Sequence, residues 1–240
     1  MRLLLEMTTS RFASEAPKLC FWPVGTVEAH DLGPLGTDVL APEKLAGDLA
    51  DSFGAVLLPT LPFGLVSSLA GYPGGMWMSA GTYSDLIFEL LESLRRSGVE
   101  SVVVFNGHGG NTETLSEVLP ELWKKTGLRT AFIDWWTVTE DLAEAAFGSG
   151  GGHGGADELS LVRAALPGFE LPAWDGSRAF LIRKGIKAWP VPRSALRYSS
   201  TTPIPLTPES ASAFYDAALE RIRGIVAEII EGWEGLRVEG

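Results

Sequence analysis

The chain of 240 residues is sparing in cysteine, histidine and positive charge. It has one cysteine, which excludes an internal disulfide. Lys and Arg number 19 against 30 Asp and Glu, giving a net charge of −11. That sign argues against nucleic acid as a partner, because binding it takes a basic surface. No apolar run approaches the roughly 18 residues of a membrane span, so no membrane partner is expected. The opening Met1-Arg2-Leu3-Leu4-Leu5-Glu6 carries an apolar run too short for a secretory signal, and a cytoplasmic location is the expectation. Cys20 sits between Leu19, Phe21 and Trp22 and reads as a small core residue rather than a reactive thiol. Hydrophobic residues at 45% and charged residues at 20% suit a globular chain able to bury a sizeable core.

What is present alternates. Leu19 to Val24, Ala55 to Leu61, Ser101 to Phe105 and Thr130 to Trp135 read as buried strands. Between them lie helical stripes. One is opened by Pro42 and carries Leu45, Leu49 and Phe53; another starts at Thr82-Tyr83-Ser84-Asp85 and stops at Gly98. A third runs to Lys125 and ends at Gly127, and a fourth covers Ala156 to Leu166. Strand and helix in turn predict an α/β fold, three layers α/β/α around a mainly parallel sheet. A single domain over 1–240 is expected, with an irregular segment holding seven prolines at about 167–208 and a final helix at about 208–231.

The chain has only three histidines, and each lies in a glycine-rich stretch with an acid or an asparagine nearby. Glu28-Ala29-His30 follows the first strand and precedes Asp38 by eight residues, across a Gly/Pro loop that can fold back. Asn106-Gly107-His108-Gly109-Gly110-Asn111 follows the third strand, with Asn111 or Thr112 placed to cap the next helix. His153 lies in the run Gly148 to Gly155, five residues before Glu158 in the first turn of a helix. Ligands of open α/β sheets sit beyond the carboxyl ends of strands. Carboxylate with imidazole is a set that holds zinc or manganese. The three stretches thus read as one metal site. Each read alone is also compatible with a polar loop or a helix cap.

Read in order, the stretches resemble the creatininase (creatinine amidohydrolase) family. Its pattern is Glu-x-His-Gly-x-His-Leu-Pro-x-Gly-Thr-Asp, then Asn-Gly-His-Gly-Gly-Asn, then His-Ala-Gly-x-x-Glu-Thr-Ser. The resemblance covers about residues 19–166, and Gly71-Tyr72-Pro73-Gly74 looks like the family's Phe-Pro-Gly. It implies two divalent ions, zinc or manganese with iron as a further option. Glu28, Asp38 and His108 would hold one ion and His30, Asp38 and Glu158 the other. His153 would be the catalytic acid–base group on the substrate side. Trp77 and Ser79 lie on the loop that contacts substrate or a neighbouring subunit in the family. The implied activity is hydrolysis of a C–N bond in a cyclic amide, formamide or peptide by a metal-activated water, in a homo-oligomer, a hexamer by resemblance.

The chain departs from that pattern. The first motif is one residue shorter, Asp31 replaces a glycine, and Leu32-Gly33 stands where the family has its second histidine. Gly109-Gly110 stands where creatinine-acting members carry Tyr-Glu, whose Glu adds a ligand. The groups that cradle creatinine are missing before His153. These departures argue against creatinine as the substrate. Two other readings stay open: a non-catalytic metal-binding or assembly protein on the same scaffold, and a serine hydrolase using Ser79. The second lacks the Gly-x-Ser-x-Gly elbow, since Trp77 holds its first glycine position.

Overall fold

The side chains of the strands sort strictly by parity. A computed structural model describes residues 2–66, 69–148, 151–172, 180–182, 196–198 and 206–236. Strand β2 (Leu19–Val24) sends Phe21 to one face and Cys20, Trp22 and Val24 to the other; β4 (Ser101–Asn106) sends Val103 and Phe105 one way and Val102 and Val104 the opposite way. Both strands are buried on two faces, so they read as continuous apolar runs. With β1 (Arg2–Leu3), β3 (Val56–Leu57) and β5 (Arg129–Asp134) they form a parallel sheet in the order β1-β3-β2-β4-β5.

Helices cover each face. On the Phe21 side lie α2 (Thr37–Ala50), α6 (Glu140–Phe147), α7 (Ala156–Ala165) and α8 (Pro208–Gly235), contributing Leu45, Ala143, Leu161 and Ile222 among others. On the Cys20 side lie α3 (Ala80–Arg96) and α4 (Thr112–Thr126), with Tyr83, Ile87, Leu91, Leu115 and Leu122 buried. The architecture is the expected three-layer α/β/α. Burial pushes the Cys20 thiol up to about 12, as suits a core residue. No described helix is long and apolar enough to cross a membrane.

Several boundaries differ from the sequence reading, each for a local reason. Helix α2 begins at Thr37, so Pro42 lies inside it rather than opening it. The second strand is only Val56–Leu57. Pro59 and Pro62 have no N–H to continue a ladder, and Leu61 makes an isolated bridge to Val24. Helix α3 starts three residues earlier than the Thr82 signal, because the Ser79 hydroxyl accepts the Thr82 N–H at 3.2 Å and caps it. Strand β5 ends at Asp134, and Trp135 opens a short helix, α5 (Trp135–Val138). The last helix runs four residues past the expected end. Periodicity missed β1, α1 (Thr9–Glu15), α5 and α6, all of them short. Of the proline-rich segment, Phe180–Ile182 (β6) and Leu196–Tyr198 (β7) form an antiparallel pair. Most of the rest, with Trp174, Arg183, Lys184 and Lys187, lies outside the described residues.

The chain leaves β2 towards β3 on one side and reaches β4 on the other. Strand order therefore reverses between β2 and β4, and the crevice beyond their carboxyl ends is where an open α/β sheet takes a ligand. Pro23 sits in β2 at little cost. Its carbonyl accepts from Leu61 at 3.0 Å on the β3 side, and the β2–β3 register stops at Phe21, where the missing N–H would have had to carry it on.

Candidate metal centre

All three histidines meet in that crevice. Glu28 and His30 lie on the loop after β2, His108 just past β4, Asp38 in the first turn of α2, and Glu158 in the first turn of α7. Both helix starts favour a carboxylate through their dipoles. His153 stands on the loop before α7, where Gly151, Gly152 and Gly154 take φ of 86°, 148° and 69°. L side chains avoid those values, which is the local use of the glycine run.

Each imidazole is fixed in the same way. His30 Nδ1 donates to the Glu28 carbonyl at 3.1 Å, His108 Nε2 to the Leu65 carbonyl at 2.9 Å, and His153 Nε2 to the Ala29 carbonyl at 2.5 Å. A carbonyl can only accept, so the other ring nitrogen is defined. His30 Nε2 lies 2.8 Å from Asp38 Oδ1 and 3.8 Å from Glu158 Oε2. His108 Nδ1 lies 2.8 Å from Asp38 Oδ2 and 3.4 Å from Glu28 Oε1. His153 Nδ1 lies 3.6 Å from Glu28 Oε1, and its ring stacks on His30 with centroids 4.3 Å apart. One nitrogen on a backbone carbonyl and the other aimed at carboxylates is the arrangement by which proteins orient imidazole ligands.

The electrostatics of the cluster are set by burial and by close opposite charges. Burial raises the Glu28 carboxyl to about 7 and holds Glu158 well above the usual carboxylate range. Burial would raise Asp38 too, but the two histidines beside it hold it well below that range. Burial would lower His30 and His108. Asp38, with Glu158 and Glu28 for His30 and Glu28 for His108, overrides this and raises them to about 10 and about 9. Burial and the charge on His30 push His153 down to about 4. A neutral His153 therefore turns the Nδ1 lone pair towards Glu28. Two buried acids, a partly buried third and two imidazoles between them are a donor set of the kind that exchanges protons for divalent cations.

Among the described residues, three groups have ligand atoms all within 4.8 Å of one another: Glu28 with Asp38 and His108, His30 with Asp38 and Glu158, and Glu28 with His30 and His153. The first two coincide with the ligand sets that the sequence resemblance implies, and Asp38 is common to both. The third brings His153, assigned from sequence to the substrate side alone, within ligand reach as well.

A supporting network was not foreseen. Asn106 Nδ2 donates to Asp134 Oδ1 at 2.7 Å and to the His108 carbonyl at 2.9 Å, while its Oδ1 accepts the His108 N–H at 3.2 Å. Thr112 donates to the other Asp134 oxygen at 2.9 Å. Asn111 does not cap α4. Its side chain accepts from Leu65 N–H and donates to the Gly25 carbonyl, tying three loops together. Asp134 ends the strand beside β4, a signal available in the sequence, but nothing there marked the Leu65 carbonyl. Asp157 is a further buried acid, raised by burial to about 6.

Of the expected substrate residues, Trp77 is 61% exposed, in a chain segment that bridges Gly64. The Ser79 hydroxyl bonds both the N–H of Thr82 and, at 2.9 Å, its hydroxyl. At Gly110 a side-chain carbon would strike the Leu65 carbonyl and the His108 ring. Glycine at position 110 is thus required by this packing.

Comparison with known proteins agrees with the geometry. The family described as creatinine amidohydrolase matches residues 5–170. Creatinine amidohydrolase of Pseudomonas putida is 27% identical over 165 residues, 60% of this chain and 63% of that protein. Mycofactocin precursor peptide peptidase of Mycolicibacterium smegmatis is 30% identical over 119 residues, 47% of this chain and 48% of that protein. The match spans less than two thirds of either relative. Among solved structures, a mutant creatininase complexed with creatine superposes with a TM-score of 0.82 at 19% identity, covering 94% of this chain and 97% of that one. A manganese creatininase gives 0.80 at 20% identity over 94% and 97%. Those identities speak for the fold.

Proposed function

The chain belongs to the creatininase family, and on that premise we propose that it is a divalent-metal-dependent amidohydrolase that cleaves a C–N bond. The observation that carries the reading is the convergence of three imidazoles, each pinned on a backbone carbonyl, onto three carboxylates, of which Glu28 and Asp38 are buried and Glu158 partly so. Glu28, Asp38 and His108 would hold one ion, His30, Asp38 and Glu158 the other. Zinc and manganese suit this mixture of nitrogen and oxygen donors, and iron is compatible with it. When bound, such a pair supplies an activated water and an electrophile for the carbonyl oxygen.

The chain's own groups do the rest. Asp38 splits its two oxygens between the two histidines and sets the centre of the site. His153 has the most exposed of the three imidazoles, 17% against 11% for His108 and 0% for His30. Its Nε2–H is held by the Ala29 carbonyl and Nδ1 carries a lone pair, so Nδ1 would first take a proton and then pass it to the departing nitrogen. Glu158 is held to its loop by the Gly154 N–H at 2.7 Å, which aims it at His30.

The same reading names the substrate class as a cyclic amide, a formamide or a peptide, and not creatinine. Leu35, Met76 and Trp77 are exposed next to the Glu28 loop: Glu28 N–H bonds the Leu35 carbonyl and Met76 N–H bonds that of Val27. This apolar rim offers a wall for a substrate side chain, or a contact between copies in a homo-oligomer. A cytoplasmic setting completes the proposal. The test is Glu158→Gln: metal and turnover should both be lost, and full retention of both would overturn the site assignment.

A further inference from the structure

A proline inside a helix removes one N–H and presses its ring on the carbonyl four residues back. In α2 the proline is Pro42, and that carbonyl belongs to Asp38, the acid common to both ligand sets. The Asp38 carbonyl therefore has no i+4 donor. It is wedged between two glycines instead. A side-chain carbon on Gly25, the residue after β2, would collide with this oxygen and lie 2.7 Å from the carbonyl carbon. One on Gly107, the residue after β4, would collide with the same oxygen and lie 2.7 Å from Pro42 Cγ and 2.8 Å from Cδ. Ordinary contact at these positions begins near 3.4 Å. Neither glycine has a positive φ, so each backbone would accept an alanine, and it is space alone that requires glycine.

Resting on the two-ion reading above, we infer that Pro42, Gly25 and Gly107 are positioning residues. They form a latch that clamps the Asp38 backbone between the tips of β2 and β4 and thereby fixes where the shared carboxylate stands. Glu28 and His30 follow Gly25 on the same loop, and His108 is the neighbour of Gly107. Asp38 reaches His30 and His108 at 2.8 Å with its two oxygens, so a shift of the helix start disturbs both contacts at once. The proline keeps the carbonyl out of the helical ladder and leaves it to the glycines.

The test is calorimetric titration of the metal-free full chain with zinc, with the absorption spectrum of the cobalt-loaded protein as a readout of ligand geometry. Gly25→Ala, Gly107→Ala and Pro42→Ala should each lose about 10–100-fold in affinity and shift the cobalt bands, as changes behind metal ligands do. Gly36→Ala, where an added carbon meets nothing within 4 Å, should match the wild type. Where an alanine for glycine fails to fold, Pro42→Ala decides. It restores a helical N–H, so the metal-free melting temperature should hold while zinc affinity falls. The latch is refuted if Pro42→Ala and every folded glycine variant bind zinc and colour cobalt like the wild type. It is also refuted if affinity drops only in step with the metal-free melting temperature. Failure of the wild type to take zinc would sink the two-ion reading and the latch with it, an outcome distinct from the other two.

Discussion

Metal binding at this site should be an exchange of cations for protons, and its pH dependence follows from the geometry. In the metal-free protein His30 titrates at about 10 and His108 at about 9, both above the ordinary 6.5, because burial is overridden by Asp38 and its acidic neighbours. A raised folded value stabilises the protein fully below pH 6.5, and that stability is lost as pH climbs towards 9 and 10. The metal-free chain should therefore melt at progressively lower temperature across that window. Ion ligation needs both imidazoles neutral. At pH 7.5, about 2.5 below the first value and about 1.5 below the second, displacing both protons costs about 5 kcal/mol, roughly 10⁴ in affinity.

Both imidazoliums lean on the one Asp38 carboxylate, so the protons leave as a coupled pair. Glu158, kept protonated by burial, adds to the count. The product of the two zinc affinities should thus rise by about 100-fold per pH unit between pH 7 and 8.5, with two or more protons released as both ions bind. Calorimetry in buffers of different ionisation enthalpy counts those protons directly. A flat affinity over this range, with no proton release, would refute the reasoning.

Other consequences are simpler to read. Asn106→Ala removes the bonds that hold the His108 backbone and leaves Asp134 with Thr112 alone, and should cost about 10–100-fold in zinc affinity by titration. His153→Gln should keep both ions and lower kcat; loss of an ion, read by metal analysis, would make His153 a ligand instead. Ser79→Ala should cost about 1 kcal/mol as a lost helix cap, lowering Tm by about 2–4 °C, with turnover unchanged. Abolished turnover would revive the serine hydrolase.

The layered fold was legible because β2 and β4 are unbroken apolar runs and the helices carry clear stripes. The same signals could not see two-residue strands or four-residue helices, where too few side chains exist to set a period. Pro42 misled because a proline usually marks a first turn, and here it is placed for the sake of the Asp38 carbonyl. Ser79, placed by resemblance on a substrate-side loop, also caps α3 through its bond from the Thr82 N–H, a contact that the hydrophobic pattern does not mark. Glu28, His30, Asp38, His108 and Glu158 were legible as types, each next to a strand end or a helix start. Their mutual distances were not, nor was the role of Leu65, since a backbone carbonyl carries no sequence signature. Asn106 stood inside a recognised motif, but its partner Asp134 is 28 residues away.

The most direct test of the account joins metal content to chemistry. The purified chain is stripped with a chelator, reloaded with zinc or manganese, and assayed on lactams, formamides and short peptides. The account predicts two ions per chain, C–N hydrolysis lost on stripping and restored on reloading. Undiminished hydrolysis by the stripped protein, or a site that retains no ion at Glu28, Asp38 and Glu158, would contradict it.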